Sequence, residues 1–274
     1  MELASRTLGL LGAGNMAEAL ARGVIKSNLL PKDRVIASDV SDARRELFAK
    51  ELGVRAARTN REVLEAADVL VLCVKPQTIE EVLKDIGAFF EVKRHLLASI
   101  AAGVPTRRLE AGLPAGARTV RVMPNTPMLV GLGAACLCAG RHATEPDLRA
   151  IETLLSSSAV VLRVEERMMD AVTGLSGSGP AYLFYLVEAM VEAGIREGFT
   201  PQQALQLSTR TCLGAAKLLE ETGLAPEELR RRVTSPNGTT QAAVERLEAD
   251  GVKEKLTAAI RRAAERSREL GQGP

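Results

Sequence analysis

Three small residues, spaced Gly12-x-Gly14-x-x-Ala17, mark the first place where this chain could do chemistry. They follow an apolar run over residues 7–11 and precede a helical pattern that reaches Ile25. A strand that turns sharply into a helix can bring its backbone against a pyrophosphate, with the first N–H groups of the helix facing the negative charge. In that context the motif reads as a dinucleotide cradle, with a purely structural tight turn as the alternative. Gly12, Gly14, Asn15 and Met16 stand on the phosphate side.

Asp39 ends the second apolar run, residues 35–38. An acidic group there accepts a hydrogen bond from a ribose 2′-hydroxyl and favours NAD. Ser38, Arg44 and Arg45 would suit the 2′-phosphate of NADP instead, and Asp39 could simply cap the next helix. Lys75 follows a third run and could line the same cleft, or be a solvated lysine before a turn. Ala102, in Ala101-Ala102-Gly103, would let the backbone approach a nicotinamide, and Asn125, in Met123-Pro124-Asn125-Thr126-Pro127, could hydrogen-bond it.

The second chemical stretch is Ser235-Pro236-Asn237-Gly238-Thr239-Thr240, between two helical patterns. Backbone N–H groups at a helix start can hold a carboxylate. The hydroxyl of Thr240 can both donate and accept. An N-capping turn is the plainer reading and is compatible with this one. His95 and His142 are the only histidines, and neither lies in a nucleophile or metal pattern. A dehydrogenase with a histidine base is therefore unsupported. Hydride transfer to a protonated C=N bond needs less acid–base help.

The elements that must carry these residues fall into two sets. Apolar runs at residues 7–11, 35–38, 69–74, 96–100, 120–122, 134–138 and 159–164 alternate with helical or turn-forming segments. That alternation predicts a doubly wound, mainly parallel α/β sheet of Rossmann type. After it comes the Gly-rich stretch 170–181, whose glycines 174, 177 and 179 permit backbone angles closed to other residues. Pro180 suits the first turn of a helix. Beyond it only helical patterns occur, with Thr200-Pro201-Gln202-Gln203 as a capping box and Gly198, Gly223 and Gly251 as stops. The expected organisation is a dinucleotide-binding domain over 1–166 and an all-helical domain for substrate binding and dimerisation over 167–274.

The totals agree with a chain of that kind. The 274 residues are 46% hydrophobic but only 3% aromatic, without tryptophan, so the core rests on Leu, Val, Ala and Ile. The 36 basic and 34 acidic residues leave a net charge of +2, which argues for neither nucleic acid nor membrane as a partner. Cys73, Cys136, Cys138 and Cys212 have no zinc spacing, and reduced thiols in a cytoplasmic protein are the simplest account. No run is long and apolar enough to span a bilayer, and no removable leader is expected. The Ala- and Leu-rich C-terminal helices would bury more surface by pairing with a second copy, a self-closing bundle being the alternative.

Together these motifs resemble the pyrroline-5-carboxylate reductases over nearly the whole chain, most specifically in 170–181 and 235–240. The resemblance implies reduction of 1-pyrroline-5-carboxylate to L-proline, with NADPH or NADH as hydride source. It implies that Thr240 hydrogen-bonds the ring nitrogen as the catalytic hydroxyl, that Ser235, Gly238, Thr239 and Thr240 cradle the substrate, and that Glu166 lies on the substrate side. Asn60, Lys75, Ala102 and Asn125 become cofactor-side positions. A homodimer with interlocked helical domains, or a ring of such dimers, is implied as well. Asn237 departs from the glycine of many members, and Asp39 from the serine of some. Two rivals are a 3-hydroxyacid dehydrogenase with Lys217 as its catalytic lysine and a non-catalytic dinucleotide sensor.

Overall fold

The computed structural model describes residues 3–272. β1 (Leu8–Leu11), β2 (Val35–Ser38), β4 (Val69–Leu72) and β5 (Leu96–Ser99) are buried along their whole length. Continuous apolar strands of this sort belong in a sheet covered on both faces. With β3 (Arg55–Ala57), β6 (Arg118–Met123), β7 (Gly133–Ala139) and β8 (Ala159–Arg163) they form one sheet, ordered β3-β2-β1-β4-β5-β6-β7-β8. Strands β3 to β6 run parallel, β7 runs antiparallel to β6, and β8 is parallel to β7. The chain order reverses between β1 and β4, the point at which open α/β sheets receive ligands at the carboxyl ends of their strands. The register sets Leu11 level with Ser38 and with Leu72, so the turns that follow start at one edge.

Helices pack on both faces. On one, α1 (Asn15–Lys26), α2 (Asp42–Leu47) and α6 (Glu145–Ser156) flank a core that includes Leu20, Val24, Ile151 and Leu154. On the other, α3 (Asn60–Ala66), α4 (Ile79–Gly87) and α5 (Thr106–Ala111) contribute Val63, Leu83, Ile86 and Leu109. Gly9 lets α3 lie close on β1: a Cβ there would sit 2.5 Å from Val63 Cγ1. β3 and helices α3, α4 and α5 are short, and sequence pattern alone did not single them out.

The Gly-rich stretch does not loop. α7 (Met169–Val172) runs into a π-helical turn over Thr173–Gly177 and then into α8 (Gly179–Arg196). None of its three glycines has positive φ. The expectation of unusual backbone angles there is corrected: the widened turn is held by Ser178 N–H on the Thr173 carbonyl, 2.8 Å, and by the Thr173 hydroxyl on the Met169 carbonyl, 2.9 Å. Such widened turns cluster at functional sites.

α9 (Pro201–Thr222) starts at the expected capping box, with Thr200 and Gln203 bonded reciprocally, and ends at Gly223 in the left-handed region. α10 (Pro226–Arg232), α11 (Thr239–Ala249) and α12 (Val252–Gly271) complete the chain. Contacts divide the described residues into two units: those through Ser178 together with those from Arg262 onward, and residues 179–261. This division by contacts falls after Ser178. Residues 166–178 stay with the sheet because Glu166 and Asp170 are bonded to Thr106 and Arg121.

Candidate active site

The turn after β1 is built around Gly12. Its φ is +97°, and a Cβ there would also press on Val74 and the Cys73 backbone at 3.0–3.1 Å, so two separate reasons demand glycine. Gly14 differs. Its φ is −71°, and nothing in the chain lies within 4 Å of where its Cβ would be. Nothing in the chain crowds position 14, so its glycine serves the helix cap and leaves the backbone open to a ligand. Gly14 caps α1 without a side chain, so Asn15 and Met16, in its first turn, present amides that no cap residue satisfies. A dinucleotide pyrophosphate fits that edge.

Asp39 ends β2 and closes the turn. One carboxylate oxygen accepts the Ala13 N–H at 2.7 Å and the other the Ser41 N–H at 2.8 Å. Each oxygen keeps a lone pair for a further donor. Of the groups suited to a 2′-phosphate, Ser38 is buried and donates to Asn60 Oδ1 at 2.7 Å. Arg44 is bonded to the Ala13 carbonyl at 2.6 Å and to Glu18 at 2.9 Å. Arg45 bonds the Asp39 carbonyl and Asp42. Asn60, the first residue of α3, also donates to Asp85 at 2.8 Å and so ties β2 to α4.

Lys75 follows β4 on the same edge and is exposed, its carbonyl taking the Thr78 amide at 3.0 Å. Ala102 sits in the loop after β5, half-buried. Asn125 is more occupied than sequence alone suggests. Its side-chain oxygen accepts the Ala134 N–H at 2.9 Å, and its nitrogen donates to the Ser176 carbonyl at 3.2 Å. It thereby joins the loop after β6 to β7 and to the π-helical turn, with one N–H remaining.

Glu166 precedes α7. Its two oxygens accept the Thr106 N–H at 2.6 Å and the Thr106 hydroxyl at 2.7 Å, and Arg121 lies 3.7 Å away. No local pattern signals the partnership of Glu166 with Thr106, 60 positions away, or with Arg121. Gly12, Gly14, Asn15, Met16, Ser38, Asp39, Asn60, Lys75, Ala102, Asn125 and Glu166 all belong to the sheet unit.

Ser235, Gly238, Thr239 and Thr240 come together in the helical unit at the start of α11. Asn237 has φ +59°, a left-handed angle that asparagine tolerates better than most residues, so the departure from glycine preserves the turn. Its N–H donates to Gln241 Oε1 at 2.8 Å. Gly238 N–H closes on the Ser235 carbonyl at 3.0 Å, and a Cβ on Gly238 would lie 2.4 Å from Ser235 Oγ. Gly238 caps α11 without a side chain, leaving the amides of Thr239 and Thr240 at an open helix start. Thr240 is half-buried.

Other candidate nucleophiles and bases are disposed of by their surroundings. Burial pushes the Cys138 thiol up to about 12 and raises that of Cys136, so both stay protonated at neutral pH. His95 is buried with both ring nitrogens used, Nδ1 accepting the Glu91 N–H and Nε2 facing the Leu64 carbonyl. Lys217 is exposed on α9 and paired with Glu220 and Glu221. Its hydrogen bond to Glu220 raises its pKa, the wrong direction for a general base.

The chain is similar to known proteins over nearly its whole length. Residues 166–270 match the family model for pyrroline-5-carboxylate reductase dimerisation, and residues 7–103 match that for NADP oxidoreductase, coenzyme F420-dependent. The chain is 41% identical to pyrroline-5-carboxylate reductase of Methanosarcina acetivorans, covering 98% of this chain and 99% of that one. It is 40% identical to the Arabidopsis thaliana enzyme, over 97% and 95%. The structure of Plasmodium falciparum pyrroline carboxylate reductase with NADP bound matches at TM-score 0.89 and 28% identity, covering 98% and 99%. That of the Coxiella burnetii enzyme matches at TM-score 0.89 and 34% identity, covering 97% and 98%. This chain belongs to the pyrroline-5-carboxylate reductase family.

Proposed function

We infer that the protein reduces the C=N bond of 1-pyrroline-5-carboxylate to give L-proline. The observation that carries the reading is the pairing of two features in one chain. One is an uncrowded glycine at position 14 that leaves the turn's backbone open to a ligand; the other is an open helix start at Thr239–Thr240 beside a glycine-tight turn. NAD(P)H, when bound, supplies the hydride for the imine carbon, the π pair of C=N passing to nitrogen. The chain's own residues bind and orient. The Gly12–Gly14 backbone, with Asn15 and Met16, would hold the pyrophosphate; Asp39 and Ser38 border the adenosine ribose, with Asn60 behind them. Lys75, Ala102 and Asn125 would border the nicotinamide half.

On the substrate, the amides of Thr239 and Thr240 and the Ser235–Gly238 turn would receive the carboxylate, because a helix start favours negative charge. The Thr240 hydroxyl would hold a proton at the ring nitrogen, which keeps the imine electrophilic and leaves the amine correctly protonated. By the resemblance, Glu166 would stand on the substrate side.

A homodimer completes the proposal. The helical unit leaves Leu183, Phe184, Tyr185, Leu186, Leu205 and Leu213 exposed, with Tyr185 at 77%. Apolar area of that kind marks an interface. No helix among the described residues is long and apolar enough to cross a membrane, and a cytoplasmic setting, where reduced nicotinamides are available, is proposed with the activity. The test is steady-state oxidation of NADPH and NADH in turn with 1-pyrroline-5-carboxylate, with light scattering for the mass. Turnover to proline by a dimer or a multiple of dimers is expected. Cofactor binding without turnover would leave only the sensor.

A further inference from the structure

The loop between β5 and α5, residues 100–105, contains Ala102 and is fastened by segments distant in sequence. At its far end Glu166 reaches the start of α5, its carboxylate taking both the amide and the hydroxyl of Thr106, at 2.6 and 2.7 Å. In its middle it meets the end of α12. Gly103 has φ +77°, and a Cβ on it would lie 2.8 Å from the Ser267 carbonyl oxygen and 2.9 Å from Leu270 Cβ. A Cβ on Gly271 would lie 2.5 Å from the Gly103 carbonyl oxygen. Two backbones therefore touch there, with glycine on both sides of the contact.

The two fastenings share one polar cluster, in which Arg121 and Ser267 are buried and Asp170 and Glu166 half-buried. Ser267 donates to Asp170 Oδ1 at 2.7 Å, and Arg121 donates to the same oxygen at 3.0 Å. Arg121 lies 3.7 Å from Glu166. Ser267 is 2% exposed and Arg121 4%. Charges and hydroxyls this deeply placed are tolerated only when satisfied by one another, and a satisfied network of this kind has a single geometry. It links β6, α5, α7 and the end of α12.

We propose that Glu166 is a positioning residue, which locks the 100–105 loop and through it the Ala102 backbone against the nicotinamide half of the cofactor, with the end of α12 as the second half of the same latch. The proposal rests on the reading of Ala102 as cofactor-side. Direct contact with substrate is the poorer role for Glu166, because both its oxygens already hold short hydrogen bonds and the substrate's own carboxylate would meet like charge. Hydride transfer is sensitive to small misplacements of the donor, so loosening this loop acts on the chemical step more than on substrate binding.

The experiment compares Glu166→Gln, Thr106→Val and Thr106→Ser in the full-length protein, measuring kcat, both KM values, NAD(P)H affinity by fluorescence titration and thermal stability. Glu166→Gln and Thr106→Val are expected to lower kcat by about tenfold with the KM for 1-pyrroline-5-carboxylate unchanged. Thr106→Ser, which keeps the hydroxyl donor, restores the parent value. A large rise in the KM for 1-pyrroline-5-carboxylate with kcat intact would make Glu166 a substrate contact and overturn the proposal. So would unchanged kinetics, or a loss in Thr106→Ser equal to that in Thr106→Val. Ala102→Asp separates the underlying reading: it is expected to weaken NAD(P)H binding measured directly. Parent affinity in that variant would remove the reading of Ala102, and the proposal with it.

Discussion

Ala13 gives its backbone N–H to the carboxylate of Asp39 at 2.7 Å, and this one bond joins the turn after β1 to the end of β2. Arg44 returns across the same junction to the Ala13 carbonyl at 2.6 Å. The cofactor edge is thus braced by the very acid expected to choose between the two nicotinamides. The remaining lone pairs of Asp39 suit a 2′-hydroxyl donor, while its charge opposes a 2′-phosphate.

Asp39→Ser is accordingly expected to shift the ratio of kcat/KM for NADPH over NADH upward by about tenfold, on the scale of losing one charge–charge opposition near the surface. Both absolute values fall, because the Ala13 and Ser41 amides lose their acceptor. The ratio is the readout, and a ratio equal to the parent's would remove Asp39 from cofactor choice.

Gly14→Ala and Gly12→Ala separate ligand contact from fold. At Gly14 the backbone angles are open to alanine and the space is empty, so unfolding in urea should show a cost of at most about 1 kcal/mol, that of a poorer helix cap. NAD(P)H affinity should nonetheless fall by more than tenfold. At Gly12 the positive φ and the contact with the Cys73 backbone should add about 1–3 kcal/mol of destabilisation. Equal cofactor affinity in Gly14→Ala and parent would contradict the cradle.

Thr240→Ala removes the hydroxyl while alanine keeps the second position of α11 helical. Turnover is expected to drop about 100-fold, the scale of one lost hydrogen bond to a developing charge. NAD(P)H affinity should be unaffected. A variant with the parent's kcat would exclude Thr240 from the reaction.

His95 makes a prediction about pH. Burial lowers its pKa from the ordinary value of 6.5, outweighing the Leu64 carbonyl, which pulls the other way, and the neutral ring accepts the Glu91 N–H at Nδ1. The unfolded chain then binds more protons than the folded one between the two pKa values, so stability rises with pH across that window. The contribution is complete above 6.5 and declines as the pH falls below it toward the folded pKa. Urea midpoints measured from pH 7.5 down to 5 should decline less in His95→Gln than in the parent. Identical declines would show that another group governs acid sensitivity.

What could be read from residues alone was whatever is decided within a few positions of itself. The start of α1, the Thr200–Gln203 capping box, the left-handed stops at Gly223 and Gly251, and the helix start after Ser235 each rest on contacts a few residues apart. Strand alternation and the change to helical period likewise gave the fold class, because burial on both faces leaves its mark on the central strands. Tertiary structure alone decided the rest. Glycines 174 and 177 read as loop formers, yet they sit in a widened helical turn, and the side chain packed against Gly177 is that of Met123 from a distant strand. Asn125 proved to be a brace between Ala134 and Ser176, and Glu166 a cap for Thr106, since a polar side chain's partner is set by which segments the sheet order brings together. The end of α12 returns to the sheet unit for the same reason: Ser267 finds Asp170 across 97 positions, a separation no local pattern records.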